Sequence, residues 1–147
     1  PVNARAVERV DTGREHEVVA VLRPEEVELA PTREQLRAGY LAQGLWDAAE
    51  LHAYFFAMKG VDEVHLLNIT VAPVHQGQGW GHMMLDALSL LSRHEGAQWL
   101  WLEVRQSNLR ALQVYERYGF KQVSIRKDYY PADRQQREHA VVMSLKL

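Results

Sequence analysis

The spacing of apolar positions changes near residue 80. Met83, Met84, Ala87, Leu88 and Leu91 recur at helical intervals, which predicts an amphipathic helix over 80–94 stopped by Gly96. On either side the apolar residues run or alternate as in strands. "VHLLNITVA" (64–72) is closed by Pro73, and "AQWLWLEVR" (97–105) puts Trp99, Trp101 and Glu103 on one face and Leu100, Leu102 and Val104 on the other. Ser107 is a candidate cap for a second helix that runs to about Arg117 and ends at Gly119. "KQVSIRKDYY" (121–130) and "HAVVMSLKL" (139–147) read as two further strands joined by the polar loop "PADRQQRE". Upstream, "GYLAQGLW" (39–46) and "LHAYFFAMKG" (51–60) form a predicted hairpin around "DAAE". "HEVVAVL" (16–22) is a valine-rich strand stopped by Pro24, and 24–39 has room for one or two helical turns with Thr32 as N-cap. Residues 1–15 are weakly patterned and read as irregular. This order predicts a single α/β domain over 1–147. Its centre is a mixed sheet containing a parallel strand–helix–strand unit at 64–105.

Composition narrows the chemistry. The 147 residues are 47% hydrophobic, enough for a core without staples. The net charge of −2 gives no basic footprint for direct nucleic-acid binding. With no cysteine, disulfides, thiolate metal sites and a cysteine nucleophile are excluded. The histidines show no zinc-type pairing, so no metal is expected. No membrane-length apolar run or signal peptide is visible, and a cytoplasmic soluble protein is the default.

The turn before the first helix is "QGQGWG" (76–81), with glycines at 77, 79 and 81. A strand, a glycine-rich turn and a helix N-terminus together make an anion site, because unpaired N–H groups and the helix dipole converge there. The alternative is a turn serving chain reversal alone. A Walker loop is excluded because the turn ends Gly-Trp-Gly-His, and the G-x-G-x-G spacing misses the dinucleotide fingerprint. Gln76, Gly79 and Gly81 satisfy Q/R-x-x-G-x-G/A.

That loop resembles the pyrophosphate loop of the GNAT acyltransferases. The linked series "LLNITVAP", "QGQGWG", "LWLEVRQSN", "ALQVYERYGF" and "IRKDYYP" resembles, within that superfamily, the RimI-type N-terminal alanine acetyltransferases of ribosomal proteins. The resemblance covers about residues 51–147. It implies a V-shaped acetyl-CoA cleft with acetyl-CoA as co-substrate. It also implies a protein N-terminus as partner, namely the N-terminal alanine of small-subunit ribosomal protein eighteen. The cofactor-binding stretch it marks is Ile69, Thr70 and Val71 at the strand end, then Gly77, Gln78, Gly79, Trp80, Gly81 and His82, with Asn108 on the pantetheine. Backbone groups at Ile69–Val71 would meet the pantetheine and acetyl carbonyl, an N–H near Val71 serving the oxyanion. Position 82, often Arg or Lys in the family, is His82, so the pyrophosphate would lean on backbone donors. The His75 and His82 imidazoles themselves read as incidental.

By the same resemblance Glu103 is the proton acceptor, Tyr115 the proton donor to the departing thiolate, and Tyr129 and Tyr130 line the groove for the acceptor peptide. Each has a plain structural alternative: Glu103 paired with Arg105 or an arginine of the next helix, Tyr115 in the aromatic core, the tyrosines at a turn. Asn108, Leu112 and Tyr115 form a polar–apolar–polar stripe that suits a long ligand with amide groups. An α-amine, at about 7.7–8.0, sheds its proton far more readily near neutral pH than a lysine at about 10.4. Alternative readings are acetylation of a small-molecule amine or of a protein lysine, or a non-catalytic acetyl-CoA sensor. The oligomeric state stays open.

Overall fold

In the computed structural model, residues 7–11, 17–21, 39–47, 50–132 and 135–147 are described. Two strands, β1 (Val7–Asp11) and β2 (Glu17–Val21), pair antiparallel as a small sheet of their own. Part of the opening stretch expected to be irregular is therefore β1. Its charged residues Glu8, Arg9 and Asp11 interrupt the apolar pattern from which a strand is read, and the backbone pairing with β2 reveals it. The turns expected over 24–39 and the Thr32 cap lie outside the described residues, save for Gly39, which sits in a turn.

The main sheet follows from the predicted periodicities. Strands β3 (Tyr40–Asp47) and β4 (Glu50–Lys59) form the expected hairpin, with a register shift between Leu45 and Trp46. Next come β5 (Glu63–Val71), a 3₁₀ turn (Pro73–His75), α1 (Trp80–His94), β6 (Trp99–Arg105), α2 (Leu109–Tyr118), β7 (Lys121–Pro131) and β8 (Arg137–Lys146). The strand order is β3-β4-β5-β6-β8-β7, and only β5 and β6 run parallel, joined by α1 as predicted. α1 spans the residues its periodicity marks out, and its last turn carries Arg93 and His94, which suit the negative end of the dipole.

Alternation in β6 is also as read: Leu100, Leu102 and Val104 are buried, while Trp99, Trp101, Glu103 and Arg105 are more open. The buried set joins Phe55, Val64, Met84, Leu85, Leu88 and Met143 in one core between the sheet and α1. No described helix is long and apolar enough to cross a membrane.

The second helix starts one residue later than expected. Its N-cap is Asn108, whose Oδ1 accepts from the Ala111 N–H at 3.2 Å. Ser107 is instead held to Glu138 on β8, its N–H donating to Oε1 at 2.6 Å and its side chain bonding the same carboxyl. The Ser107 side chain first, then its N–H, and after them Arg105, hold the Glu138 carboxyl below its usual range. Gly119, at φ 121°, ends the helix where predicted.

Leu88 is fully buried in this core. Leu88→Ala should destabilise the protein by about 2–5 kcal/mol, through lost transfer energy plus a cavity. Denaturant unfolding at unchanged m-value checks this.

Candidate active site

Parallel pairing between β5 and β6 stops early. The register runs from Glu63↔Trp99 to Leu66↔Leu102, although β5 continues to Val71 and β6 to Arg105. Beyond that point the strands part. The Ala72 N–H donates to His52 O at 2.7 Å, so His52 and Ala72 form a hydrogen-bonded pair with β4 on one side. By antiparallel alternation Tyr54/Thr70 is the next such pair, while Ala53/Val71 and Phe55/Ile69 are not. The N–H and C=O groups of Ile69 and Val71 therefore point toward the side β6 has left. Thr70 departs from the expectation. Its backbone is used by β4, its hydroxyl donates to Asn68 Oδ1 at 2.9 Å, and its side chain does not line the cleft.

The parted strands open onto a cleft of about 440 Å³. Its walls include Ile69 and Val71 from β5, Gly77, Gly79, Trp80, Gly81 and His82 from the loop and α1, and Asn108 and Tyr115 from α2. Nine of the predicted residues thus converge on one space. Gln78 turns away, accepting from Trp80 Nε1 at 3.2 Å and lying 3.5 Å from Val74 O. His75, read as incidental, also lines the cleft; its ring stacks on buried His52 with centroids 4.0 Å apart. His82 sits at the mouth, edge-on to Tyr118 and 3.6 Å from Asp86.

The loop has the features of an anion site. Gly77 and Gly79 have φ of +76° and +87°, which explains glycine there by backbone conformation. Gly81 is different. It is helical with an ordinary φ, and a Cβ built on it meets nothing within 4 Å. Neither conformation nor packing within the protein requires glycine at 81. The N-cap Gly79 offers no side-chain bond, and the first turn of α1 holds no acidic residue, so its N–H groups are open to an anion.

Sequence reasoning marked Gln76 only as a motif residue and missed the two arginines opposite it across the cleft. Gln76 donates through Nε2 to Val71 O at 3.1 Å and accepts from Arg110 Nη1 at 3.4 Å, linking the end of β5 to α2. Arg110 and Arg117, two turns apart on α2, both line the cleft. Their spacing of seven was the available signal, obscured because exposed arginines on a short helix usually only face solvent.

Glu103, Tyr129 and Tyr130 do not line the cleft; they form an adjoining cluster. Arg126 Nη1 donates to Glu103 Oε1 at 2.6 Å, so the carboxylate's partner is neither Arg105 nor a helix arginine. The Arg126 guanidinium lies 4.2 Å from the Tyr129 ring centre, and Arg105 lies 4.6 Å from that of Tyr130. A register break between Arg126 and Tyr130 turns the tyrosines into place. Arg137 pins this bulge by donating to the carbonyls of Asp128 and Tyr129, and Arg105 donates to Pro131 O at 2.9 Å.

Electrostatics joins the cluster to the cleft. Burial, then the Glu103 charge and Tyr129, push the Tyr130 hydroxyl up to about 12. Burial, then hydrogen bonding to Glu103 and its charge, raises Tyr129. Burial, then Tyr130, pushes Tyr115 up to about 12. Glu103, Tyr129 and Tyr130 therefore lie within electrostatic reach of one another, and Tyr130 within reach of Tyr115 on the cleft wall.

A strand-loop-helix anion site in the gap of a splayed mixed sheet is the architecture of an acyl-CoA-dependent transferase, and the comparisons agree. The acetyltransferase (GNAT) family model matches residues 24–120, and the chain belongs to that family. It is 41% identical over 105 residues to the ribosomal protein bS18-alanine N-acetyltransferase of Haemophilus influenzae, covering 71% of each chain. The ribosomal-protein-S18-alanine N-acetyltransferase structure from Escherichia coli superposes with a TM-score of 0.68 at 34% identity, covering 80% of this chain and 77% of that one. A GNAT acetyltransferase from Elizabethkingia anophelis with acetyl-CoA bound shares the fold, with a TM-score of 0.71 at 18% identity over 99% of both chains.

The open space at Gly81 has a measurable consequence. Gly81→Ala should leave the thermal midpoint unchanged or raised, since alanine is favoured in a helix by up to about 1 kcal/mol. Acetyl-CoA affinity should fall by about tenfold or more, or ~1.4 kcal/mol, by calorimetry.

Proposed function

We propose that this protein transfers acetyl from acetyl-CoA to the free α-amine of a protein N-terminus, and that its acceptor is the N-terminal alanine of ribosomal protein bS18. The observation that carries this reading is the convergence of the anion loop, the open edge of β5, Asn108 and Tyr115 on one cleft, with the Glu103–Arg126–Tyr129 cluster within electrostatic reach of it. The names borne by relatives at about 40% identity supply the acceptor. Such an acceptor places the enzyme in the cytoplasm.

In this reading the N–H groups at the start of α1 take the pyrophosphate, with Arg110 and Arg117 supplying the fixed positive charge that His82 does not. Asn108 spends Oδ1 on its cap, so its amide donors serve the pantetheine. The outward-facing N–H of Val71 stabilises the oxyanion that forms as the amine attacks the thioester carbonyl. Glu103 takes the amine's proton, directly or through water, while Tyr129 and Tyr130 line the entry.

Tyr115 differs from a free tyrosine. At about 12, it is fully protonated at neutral pH and a weaker acid than usual. Complete transfer to a thiolate resembling cysteine, near 8.5, would be uphill by about 3.5 units, or ~5 kcal/mol. Tyr115 therefore acts chiefly by donating a hydrogen bond to the departing sulfur, whose proton comes ultimately from the amine.

Two measurements test the reading. Thiol release should occur with peptides beginning in free alanine, and more weakly with serine. An acetyl-alanine peptide with an internal lysine should give none; activity on that blocked peptide alone would overturn the assignment. In the second, kcat at saturating alanine peptide should rise with pH until the bound amine is deprotonated, near about 8 or somewhat above, then stay flat to about pH 10. The sign follows because Tyr115 keeps its donor proton at every pH below about 12. Tyr115→Phe should lower kcat without moving the rising limb.

A further inference from the structure

Arg126 is not accounted for by the mechanism above. It projects from the exposed edge strand β7 with its side chain 52% exposed, yet it makes a 2.6 Å contact with Glu103 Oε1. Its guanidinium also lies 4.2 Å from the Tyr129 ring centre, and Tyr129 hydrogen-bonds to the same carboxylate. A carboxylate flanked by the face of an aromatic ring is a compact site for a cation. Here an internal guanidinium fills it.

We propose that Arg126 is a placeholder. In the free enzyme it occupies the position that the α-ammonium of the acceptor peptide takes on binding, and the acceptor must displace it to reach Glu103. This rests on the proposed role of Glu103 at the acceptor amine. Arg126 and an incoming ammonium would compete for the single charge of this carboxylate and repel each other beside it. Arg126 is free to leave because it stands on an edge strand and is half exposed, so on release its charge passes to solvent. Arg105, the other cation of the cluster, is differently placed: it is committed to Pro131 O, at 2.9 Å, and to Glu138, at 3.4 Å. The exchange favours acceptors that bring a charged amine. A neutral end gains nothing in return for breaking the Arg126 contact, so the acetylated product is expelled as Arg126 closes back onto Glu103. Apparent acceptor affinity is lowered by the fraction of enzyme in which the pair is closed.

The test is Arg126→Gln, with Arg126→Lys beside it, each checked for an unchanged thermal midpoint and unchanged acetyl-CoA binding. Affinity for an alanine-initiated peptide is titrated calorimetrically into the CoA-loaded enzyme, and KM is measured with acetyl-CoA. For Arg126→Gln the peptide should bind about threefold or more tightly, with a matching fall in KM. Arg126→Lys keeps a competing cation and should stay close to the parent. Binding of the N-acetylated peptide should improve more than that of the amine peptide only if Arg126 blocks by bulk, which would overturn the proposal. An unchanged or raised KM for Arg126→Gln would also overturn it, since Arg126 would then orient Glu103 or hold the peptide itself. Glu103→Gln separates the two levels. If it keeps full turnover, the base role of Glu103 fails. If it loses turnover while Arg126→Gln leaves KM unmoved, only the placeholder fails.

Discussion

The site depends on a parting of two strands. A parallel pair normally continues as far as both strands extend, because each unpaired backbone group in a sheet interior carries a cost. Here β5 and β6 pair only through Leu66 and Leu102, and each then keeps a single partner, β4 or β8. The cost is met at both ends of the gap. Gln76 satisfies Val71 O from one side, and the Ser107 N–H finds Glu138 on the other. What stays open, the outward edge at Ile69 and Val71 together with the first turn of α1, can be satisfied by a ligand rich in amides and phosphates. The same gap admits Tyr115 from α2 and sets it within electrostatic reach of the β7 bulge.

The bulge carries the tyrosines proposed to meet the acceptor, and its position follows from the strand order. β7 pairs only with β8, so the edge strand can tolerate the register break between Arg126 and Tyr130 that a central strand could not. Arg137 and Arg105 fix that break by donating to the carbonyls of Asp128, Tyr129 and Pro131. The tyrosines are thereby set beside Glu103 on β6, although more than twenty residues separate them in sequence.

Legibility in the sequence followed the physical origin of each element. α1 was legible because Met84, Ala87, Leu88 and Leu91 of its stripe pack on the core, and periodicity records burial; Met83 lies exposed, and Leu85, outside the stripe as read, is fully buried. β1 was not, because charged residues interrupt it and backbone pairing leaves little trace in side-chain pattern. The cap of α2 was missed by one residue because Ser107 and Asn108 are equally good caps locally. A long-range bond from Glu138 decided between them. Glu103 stood out as a carboxylate in an aromatic strand, but its partner could not be named, since Arg126 reaches it through the β7–β8 pairing. Arg110 and Arg117 were hidden for the opposite reason: a solvated helix face and a cleft wall look alike until the fold puts something opposite.

The tyrosine cluster explains why the carboxylate and the hydroxyl can work at one site without neutralising each other. Burial first, and then a negative charge at Glu103, discourages ionisation of Tyr129 and Tyr130; burial, and then Tyr130, does the same for Tyr115. Each tyrosine therefore stays a donor. In the proposed reaction these donors run from the rim, where the amine arrives, to the cleft wall, where sulfur departs. Arg126 and Arg105 over the two rings temper the accumulated negative charge without entering the cleft. In that reading the proposed base and the proposed donor stand on different elements, Glu103 on β6 and Tyr115 on α2.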